Sequence, residues 1–232
     1  DTDLDSTVTT GTGADTLDFG NSLDSDDTVD TGAGIDTVKV DSVALSTAIV
    51  LNTTYALSNV EKVSVEPAAG ATANAGVDIS VDATQVGLTD LILVESQAEI
   101  DGTDDEAGDF TVTNLAAGVG VTLVNNKIDA GSGEFSKINT VFLKLADATG
   151  TDDNIAVTLN GTSGSGAVEN TVIDLDVKNI ETLTLISSHA GTTALTATDD
   201  NTIADISADT TLTKIVISGS DQLDIALGGE MT

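Results

Sequence analysis

The sequence predicts an all-β fold, a right-handed parallel β-helix whose stacked coils differ in length. Short runs of alternating apolar and polar residues dominate the chain, and helical periodicity is scarce. Aromatic residues make up only 2% of the sequence and Trp is absent, so the core must consist of Val, Ile, Leu and Ala. Such side chains suit thin, repetitive β packing better than a deep globular centre.

A recurrent apolar pattern, U-x-x-U-x-U with U an apolar residue, indicates irregular coils. Two of its copies lie in nearly the same string, SNVEKVSVE at 58–66 and KNIETLTLI at 178–186. A single coil cannot bury its apolar face alone, whereas stacked coils can. An antiparallel β-sandwich is the alternative, because about a dozen short strands separated by turns would give a similar pattern. The copies are Val60/Val63/Val65, Leu88/Leu91/Leu93, Ile138/Val141/Leu143, Ile180/Leu183/Leu185 and Leu212/Ile215/Ile217.

A glycine–aspartate pattern, G-x-G-x-D-x-U, occurs twice near the start of the chain, with the second copy 21 residues after the first. Glycine permits the left-handed backbone of a tight turn, and the Asp supplies a hard anionic oxygen that suits calcium. Asp27 precedes Asp36 by nine residues and belongs to an intermediate turn in which Ser25 replaces the second glycine. The two copies comprise Gly11, Gly13 and Asp15, and Gly32, Gly34 and Asp36.

This layout resembles the glycine-rich, calcium-binding nonapeptide of RTX proteins, the secreted β-roll family. The resemblance implies that the two copies form stacked turns, with a calcium ion between them bound by glycine-turn carbonyls and by Asp15 and Asp36. Neither copy has the doubled glycine of the family pattern. We therefore expect one good calcium site and one or two weaker ones, Asp27 belonging to a weaker one. The alternative is a pair of plain Gly/Asp turns without metal.

Two acidic loops, 101–109 and 147–154, and a half-copy of the glycine–aspartate pattern are further candidates for calcium, although a solvated loop explains 147–154 better. In the segment 101–109, DGTDDEAGD, four Asp carboxylates lie within nine residues, and a divalent cation would relieve their repulsion. A solvated acidic loop explains that segment equally well. Gly219, Asp221 and Leu223 form half of the glycine–aspartate pattern. The candidate ligands in these segments are Asp101, Asp104, Asp105 and Asp221.

These patterns divide the chain into three parts. Residues 1–45 are expected to form RTX-like, calcium-binding β-roll coils, and residues 46–216 an irregular β-solenoid. Residues 217–232 are expected to start a further RTX-like coil. The N-terminal string DTDLDST does not have the pattern of a signal peptide, and we expect the chain to be a piece of a longer protein.

Charge and composition exclude several classes of function. The net charge is −32 and the sequence contains no Arg, whereas a nucleic-acid binder needs a basic surface. No stretch approaches 18 apolar residues, so we expect no membrane insertion. The absence of Cys excludes disulfides, zinc–thiolate sites and thiol nucleophiles together.

The sequence does not predict an enzyme. His189, the single histidine, lies in the string SSHAG, and its serine neighbours are adjacent only in sequence. The chain contains no G-x-S-x-G nucleophile elbow. The scarcity of aromatic residues argues against a sugar-stacking cleft of the kind used in glycoside hydrolysis.

Taken together, the nonapeptides, the acidity, the lack of Cys and Arg, and the tags N-[VI]-E-[KT]-[VL] resemble bacterial surface-layer proteins with RTX repeats, of the type found in Caulobacter-like Gram-negative bacteria. The resemblance implies an extracellular protein at the bacterial cell surface, exported by a type I system, that self-associates into a lattice when calcium is present. It also implies contact with cell-surface polysaccharide through another part of the chain. A stalk module of a secreted RTX adhesin and the non-catalytic β-roll of a secreted RTX hydrolase are the alternatives.

Overall fold

All secondary structure in the described part of the chain is β-strand, as the sequence predicts. The computed structural model describes residues 7–23, 26–42, 49–50, 56–67, 78–84, 87–95, 108–125, 137–147, 149–162, 171–190 and 201–226. Within those ranges we find no helix with the length and apolar character that crossing a membrane would require.

The strands are short and rich in Thr, Val, Ile and Leu, residues that fit a pleated, half-buried surface. They are β1 (Thr7–Thr9), β2 (Thr16–Asp18), β3 (Thr28–Asp30), β4 (Thr37–Ser42), β5 (Ile49–Val50), β6 (Ala56–Ser58), β7 (Lys62–Pro67), β8 (Ile79–Asp82), β9 (Asp90–Glu95), β10 (Phe110–Leu115), β11 (Gly120–Asn125), β12 (Lys137–Leu145), β13 (Asn154–Thr162), β14 (Thr171–Lys178), β15 (Thr182–Ala190), β16 (Asn201–Ile203), β17 (Ile206–Ala208), β18 (Lys214–Gly219) and β19 (Leu223–Ile225).

The strands form three sheets, in which every ladder between described strands is parallel. Sheet 1 has the order β1-β3-β6, and sheet 2 has the order β19-β16-β14-β12-β10-β8-β5, with β17 also paired to β14. Sheet 3 has the order β18-β15-β13-β11-β9-β7-β4-β2. No described strand pairs with the strand that follows it in the chain, which disagrees with the antiparallel sandwich alternative, since hairpin-connected neighbours would pair there.

Register aligns one apolar residue from each of the eight strands of sheet 3 in a single row. We call the stretch from one sheet-3 strand to the next a repeat. The ladders align the strands with one another. The unequal spacing of the apolar pattern therefore corresponds to different numbers of residues between successive strands. The row consists of Leu17, Val38, Val63, Leu91, Val121, Val157, Leu185 and Ile217.

The fifth copy of the apolar pattern behaves differently from the other four. All residues of the first four copies are buried, whereas Ile217 on β18 is 60% exposed. β18 is the last strand in the order of sheet 3, so it has a sheet neighbour on one side only.

The Ile138 copy of the apolar pattern also differs, because β12 places it in sheet 2 while the others lie in sheet 3. The pattern therefore identifies buried corners and strands without specifying the sheet.

One apolar cluster joins the three sheets. It takes Val29 from sheet 1, Phe110 and its ladder partner Val141 from sheet 2, and Leu91 and its row from sheet 3. Phe110 is fully buried, while the other core positions are aliphatic. The small aliphatic side chains predicted from composition therefore form the shared core.

Candidate metal centre

The two glycine–aspartate turns stack directly on each other. We call residues 11–15 and 32–36 the stacked turns. Thr12 and Ala33 form a parallel bridge, and the Gly13 N–H donates to the Ala33 carbonyl at 2.8 Å while the Ala33 N–H donates to the Gly11 carbonyl at 3.1 Å. Beyond the turns, the Thr37 N–H donates to the Asp15 carbonyl at 2.9 Å. The predicted stacking, with an offset of 21 residues, is confirmed.

The second turn requires glycine because the first turn touches its backbone. A Cβ atom at Gly34 would lie 1.9 Å from the Gly13 carbonyl oxygen, and one at Gly32 would lie 2.2 Å from the Gly11 carbonyl oxygen. Gly32 also has a φ of +79°, which L side chains rarely adopt. At Gly11 a Cβ atom would meet nothing within 4 Å. The close approach therefore explains the glycines of the second copy.

Asp36 is the central acidic residue of this site. Its side chain is fully buried, and its Oδ1 accepts a hydrogen bond of 2.7 Å from the Asp15 N–H. Its Oδ2 is also buried and has no hydrogen-bond partner in the described part of the chain. A buried carboxylate oxygen without a donor is costly, because it has lost water and gained nothing in exchange. A bound cation would supply the missing interaction.

Glu61 extends the arrangement into a third repeat. The Asp36 N–H donates to Glu61 Oε2 at 3.0 Å, just as the Asp15 N–H donates to Asp36. The carboxylates of Asp36 and Glu61 therefore each cap the backbone of the acidic residue one repeat earlier, and Asp15, Asp36 and Glu61 form an acidic column. The glycine pattern did not identify Glu61, because the third turn contains no glycine. The sequence feature that could have identified Glu61 is its position, since an acidic residue directly precedes the sheet-3 strand in all three repeats.

The donor chemistry of this column fits calcium in part. Asp36 Oδ2 is a hard anionic oxygen, and calcium completes its shell from backbone carbonyls and water. The Gly11 and Ala33 carbonyls already accept hydrogen bonds between the turns, and each keeps one lone pair for a cation. The described residues contain no group of three or more His, Cys, Asp or Glu side chains placed to hold a metal. Asp36 fits as a ligand, and the remaining ligands would have to be backbone or water oxygens.

The other predicted ligands do not join this column. Asp27 is buried and lies just before β3, whereas the turn with Asp36 follows that strand. Asp221 lies in the turn between β18 and β19, where its N–H donates to the Ser187 carbonyl at 3.3 Å. The candidates Asp101, Asp104 and Asp105 lie outside the described residues.

A second group of carboxylates crowds together on sheet 2. Asp174 Oδ1 and Asp205 Oδ1 are buried without a hydrogen-bond partner in the described part of the chain. Asp176 forms an ion pair of 2.7 Å with Lys178 Nζ. Burial raises the pKa of Asp174, and the charges of Asp205 and Asp176 raise it further. Neither the glycine pattern nor the acidic loops predicted this group.

The pKa values of the carboxylates predict a stability maximum in mild acid. Burial raises the pKa of Asp90 and Asp174, so their charged forms oppose folding and the stability of their protonated forms is lost as pH rises. The Asn59 hydrogen bond lowers the pKa of Asp30. Burial opposes such a shift at Asp209, but hydrogen bonds from Thr211 and Asn179 lower its pKa nonetheless. The charged forms of Asp30 and Asp209 therefore stabilise the fold at pH values above the unfolded Asp pKa of about 3.9. That stability is lost as pH falls through the pKa values of the two groups in the folded protein.

Thermal unfolding in chelator should therefore show a Tm that rises as pH falls from neutral toward the unfolded Asp pKa of about 3.9 and drops at lower pH. Asp174→Asn should raise the Tm at neutral pH and reduce the rise on acidification. A Tm that falls monotonically from pH 7 downward in both proteins would contradict the prediction.

Comparison with known proteins gives no match to a family model, to a curated protein or to a solved structure. The functional interpretation therefore depends on the residues and their geometry.

Proposed function

We propose that this chain is a structural module of a bacterial extracellular surface layer, stabilised by calcium at the stacked turns and able to self-associate. The observation that carries the calcium part is Asp36 Oδ2, a buried carboxylate oxygen without a donor in the described residues, at the contact of two stacked glycine turns. The surface-layer part is supported by the sequence resemblance and by the charge of −32 on a fold of parallel sheets.

The finer architecture belongs to this proposal. We infer a right-handed solenoid, in which each repeat is one coil. The support is that described strands adjacent in sequence do not pair with each other, that register rows run across repeats, and that the sheets share one apolar cluster. The right hand follows from the strong preference for right-handed connections between parallel strands.

Calcium would act by neutralising the acidic column. Without a cation, the carboxylates of Asp15, Asp36 and Glu61 repel one another across neighbouring repeats, and Asp36 also bears the cost of burial. A cation bound only by the folded turns converts its binding free energy into folding free energy. At 100 times its Kd, such a ligand stabilises the folded state by about 2.7 kcal/mol.

The proposal is tested by titrating the chain with calcium while circular dichroism follows β structure and light scattering follows assembly, with magnesium as the control. We expect a calcium-specific gain in thermal stability and a calcium-dependent increase in particle mass. Magnesium should give little of either, because its octahedral, strongly hydrated shell is poorly matched to a site with one buried carboxylate. Equal melting and equal particle mass in chelator and calcium would rule the proposal out.

A further inference from the structure

Three Asp–Asn contacts join neighbouring repeats where the chain turns toward the next strand of sheet 3. In the first two, the Asn side chain donates to the Asp carboxylate, at 2.7 Å and 2.8 Å. In the third, the Asn backbone N–H donates to the carboxylate at 2.9 Å. We call these contacts the corner pairs. They are Asn59–Asp30, Asn114–Asp82 and Asn179–Asp209.

The asparagines of the corner pairs have a left-handed backbone. Their φ values are +55° at Asn59, +56° at Asn114 and +62° at Asn179, and they are the non-glycine residues with positive φ among those the structure describes. Asn adopts this conformation at lower cost than other L-residues, because its short polar side chain bonds locally. The backbone conformation therefore favours Asn at all three corners, and at Asn59 and Asn114 the side-chain donor favours it a second time.

The aspartates of the corner pairs also have donors within their own repeat. Asp30 Oδ1 accepts from the Gly32 N–H at 3.1 Å, and Asp209 Oδ1 accepts from the Thr211 N–H at 3.0 Å. The Thr84 hydroxyl donates to Asp82 Oδ1. Each carboxylate is thus hydrogen-bonded both inside its repeat and from the adjacent one. In this respect the corner pairs differ from Asp36, whose Oδ2 has no donor in the described residues.

Two of the asparagines, Asn59 and Asn179, are the first residue of the N-[VI]-E tag. The tag forms backbone hydrogen bonds with the next repeat. Val60 and Ile180, the second residues of the tags, are fully buried. The Glu61 carbonyl accepts from two successive N–H groups of the next repeat, at 2.7 Å and 3.2 Å, and the Glu181 carbonyl does the same at 3.0 Å and 3.1 Å. The donors are Thr89 and Asp90, and Thr213 and Lys214. The same geometry therefore recurs wherever the tag occurs in the described residues.

We propose that the corner pairs are metal-independent hydrogen-bonded links between repeats, and that the body of the chain from β8 to β19 stays folded without calcium. Carboxylates that receive protein donors from two repeats need no cation to neutralise them. The dependence of folding on calcium is then confined to the stacked turns. This second part of the inference rests on the proposed function. The chain would thus have a calcium-responsive end and a calcium-independent body.

Hydrogen exchange of the full chain, followed by mass spectrometry in chelator and in calcium, tests this division. Peptides from β8 to β15 should keep the same protection in both solutions, while peptides from β2 to β4 gain protection with calcium. Loss of protection throughout the body in chelator would overturn the inference. Equal protection of β2 to β4 in both solutions would instead count against the calcium proposal and leave the corner pairs standing.

Asn114→Asp tests the corner pairs directly. It removes the donor to Asp82 and places a second carboxylate beside it, so in chelator the amides of β8 and β10 should lose roughly tenfold or more protection. Calcium should restore part of that loss. Ala117→Asp is the matched control, because it adds the same charge at an exposed position in the turn that follows β10. Equal protection in the two variants would refute the role of the corner pairs.

Discussion

Gly34→Ala should open the stacked turns, whereas Gly11→Ala should leave them closed. A Cβ atom at Gly34 would lie 1.9 Å from the Gly13 carbonyl oxygen, a distance that only a movement of one backbone can relieve. That movement would break the hydrogen bonds between Gly13, Ala33 and Gly11. Overpacking and lost hydrogen bonds together should cost about 2–4 kcal/mol of local stability.

The measurement is hydrogen exchange at the Gly13 and Ala33 amides, where protection should fall roughly a hundredfold in Gly34→Ala, since each 1.4 kcal/mol is a factor of ten. Gly11→Ala is the matched control, because an added Cβ there meets nothing within 4 Å and the φ is not positive. Its protection should stay the same or rise slightly, as the unfolded chain loses entropy. Equal losses in both variants would show that the turns are not in direct contact.

Much of this fold is predictable because its signals are local. Alternation fixes which residues of a strand face inward, so the all-β class and the burial of the first four copies of the apolar pattern follow from sequence. Alternation alone left the antiparallel sandwich open, and the parallel ladders of the structure decide against it. The stacking of the two glycine turns was implied by the resemblance to RTX nonapeptides, and the hydrogen bonds between the turns confirm it. Burial within a strand, in contrast, needs no knowledge of how distant segments meet.

Other features depend on register between repeats, which sequence does not state. Glu61 caps Asp36 from 25 residues away, a separation that differs from that of the glycine turns because loop length varies between repeats. Asn114 bonds to Asp82 across 32 residues, and no sequence motif links the two. The same limit explains why the Ile138 copy could not be placed in sheet 2 from its pattern. Because loop lengths vary between repeats, the sequence does not show which residues of different repeats become neighbours. The alternating pattern of the strands does show which residues are buried.

Asp36→Asn should be more stable than wild type in chelator and less stable than wild type in calcium. In chelator, the variant should be the more stable protein by about 1–3 kcal/mol, because it removes a buried carboxylate whose Oδ2 lacks a donor in the described residues. The amide oxygen can still accept the Asp15 N–H, so the contact between turns survives. In calcium, wild type should gain stability and the variant should gain little, since a neutral amide is a weaker calcium ligand than a carboxylate.

Asp18→Asn is the control that separates this effect from general charge relief in a chain of net charge −32. Asp18 is exposed, and its Oδ1 accepts only a local hydrogen bond of 3.2 Å from the Gly20 N–H in the described residues. Both variants remove one negative charge, so a difference between them must come from the position of Asp36. Chemical denaturation of wild type and both variants, in chelator and in calcium, gives the six free energies of unfolding. A calcium response in Asp36→Asn as large as in wild type would remove Asp36 from the site. A loss of stability in chelator would instead mean that the buried charge has a compensating partner, and the cation would then have no deficit to satisfy.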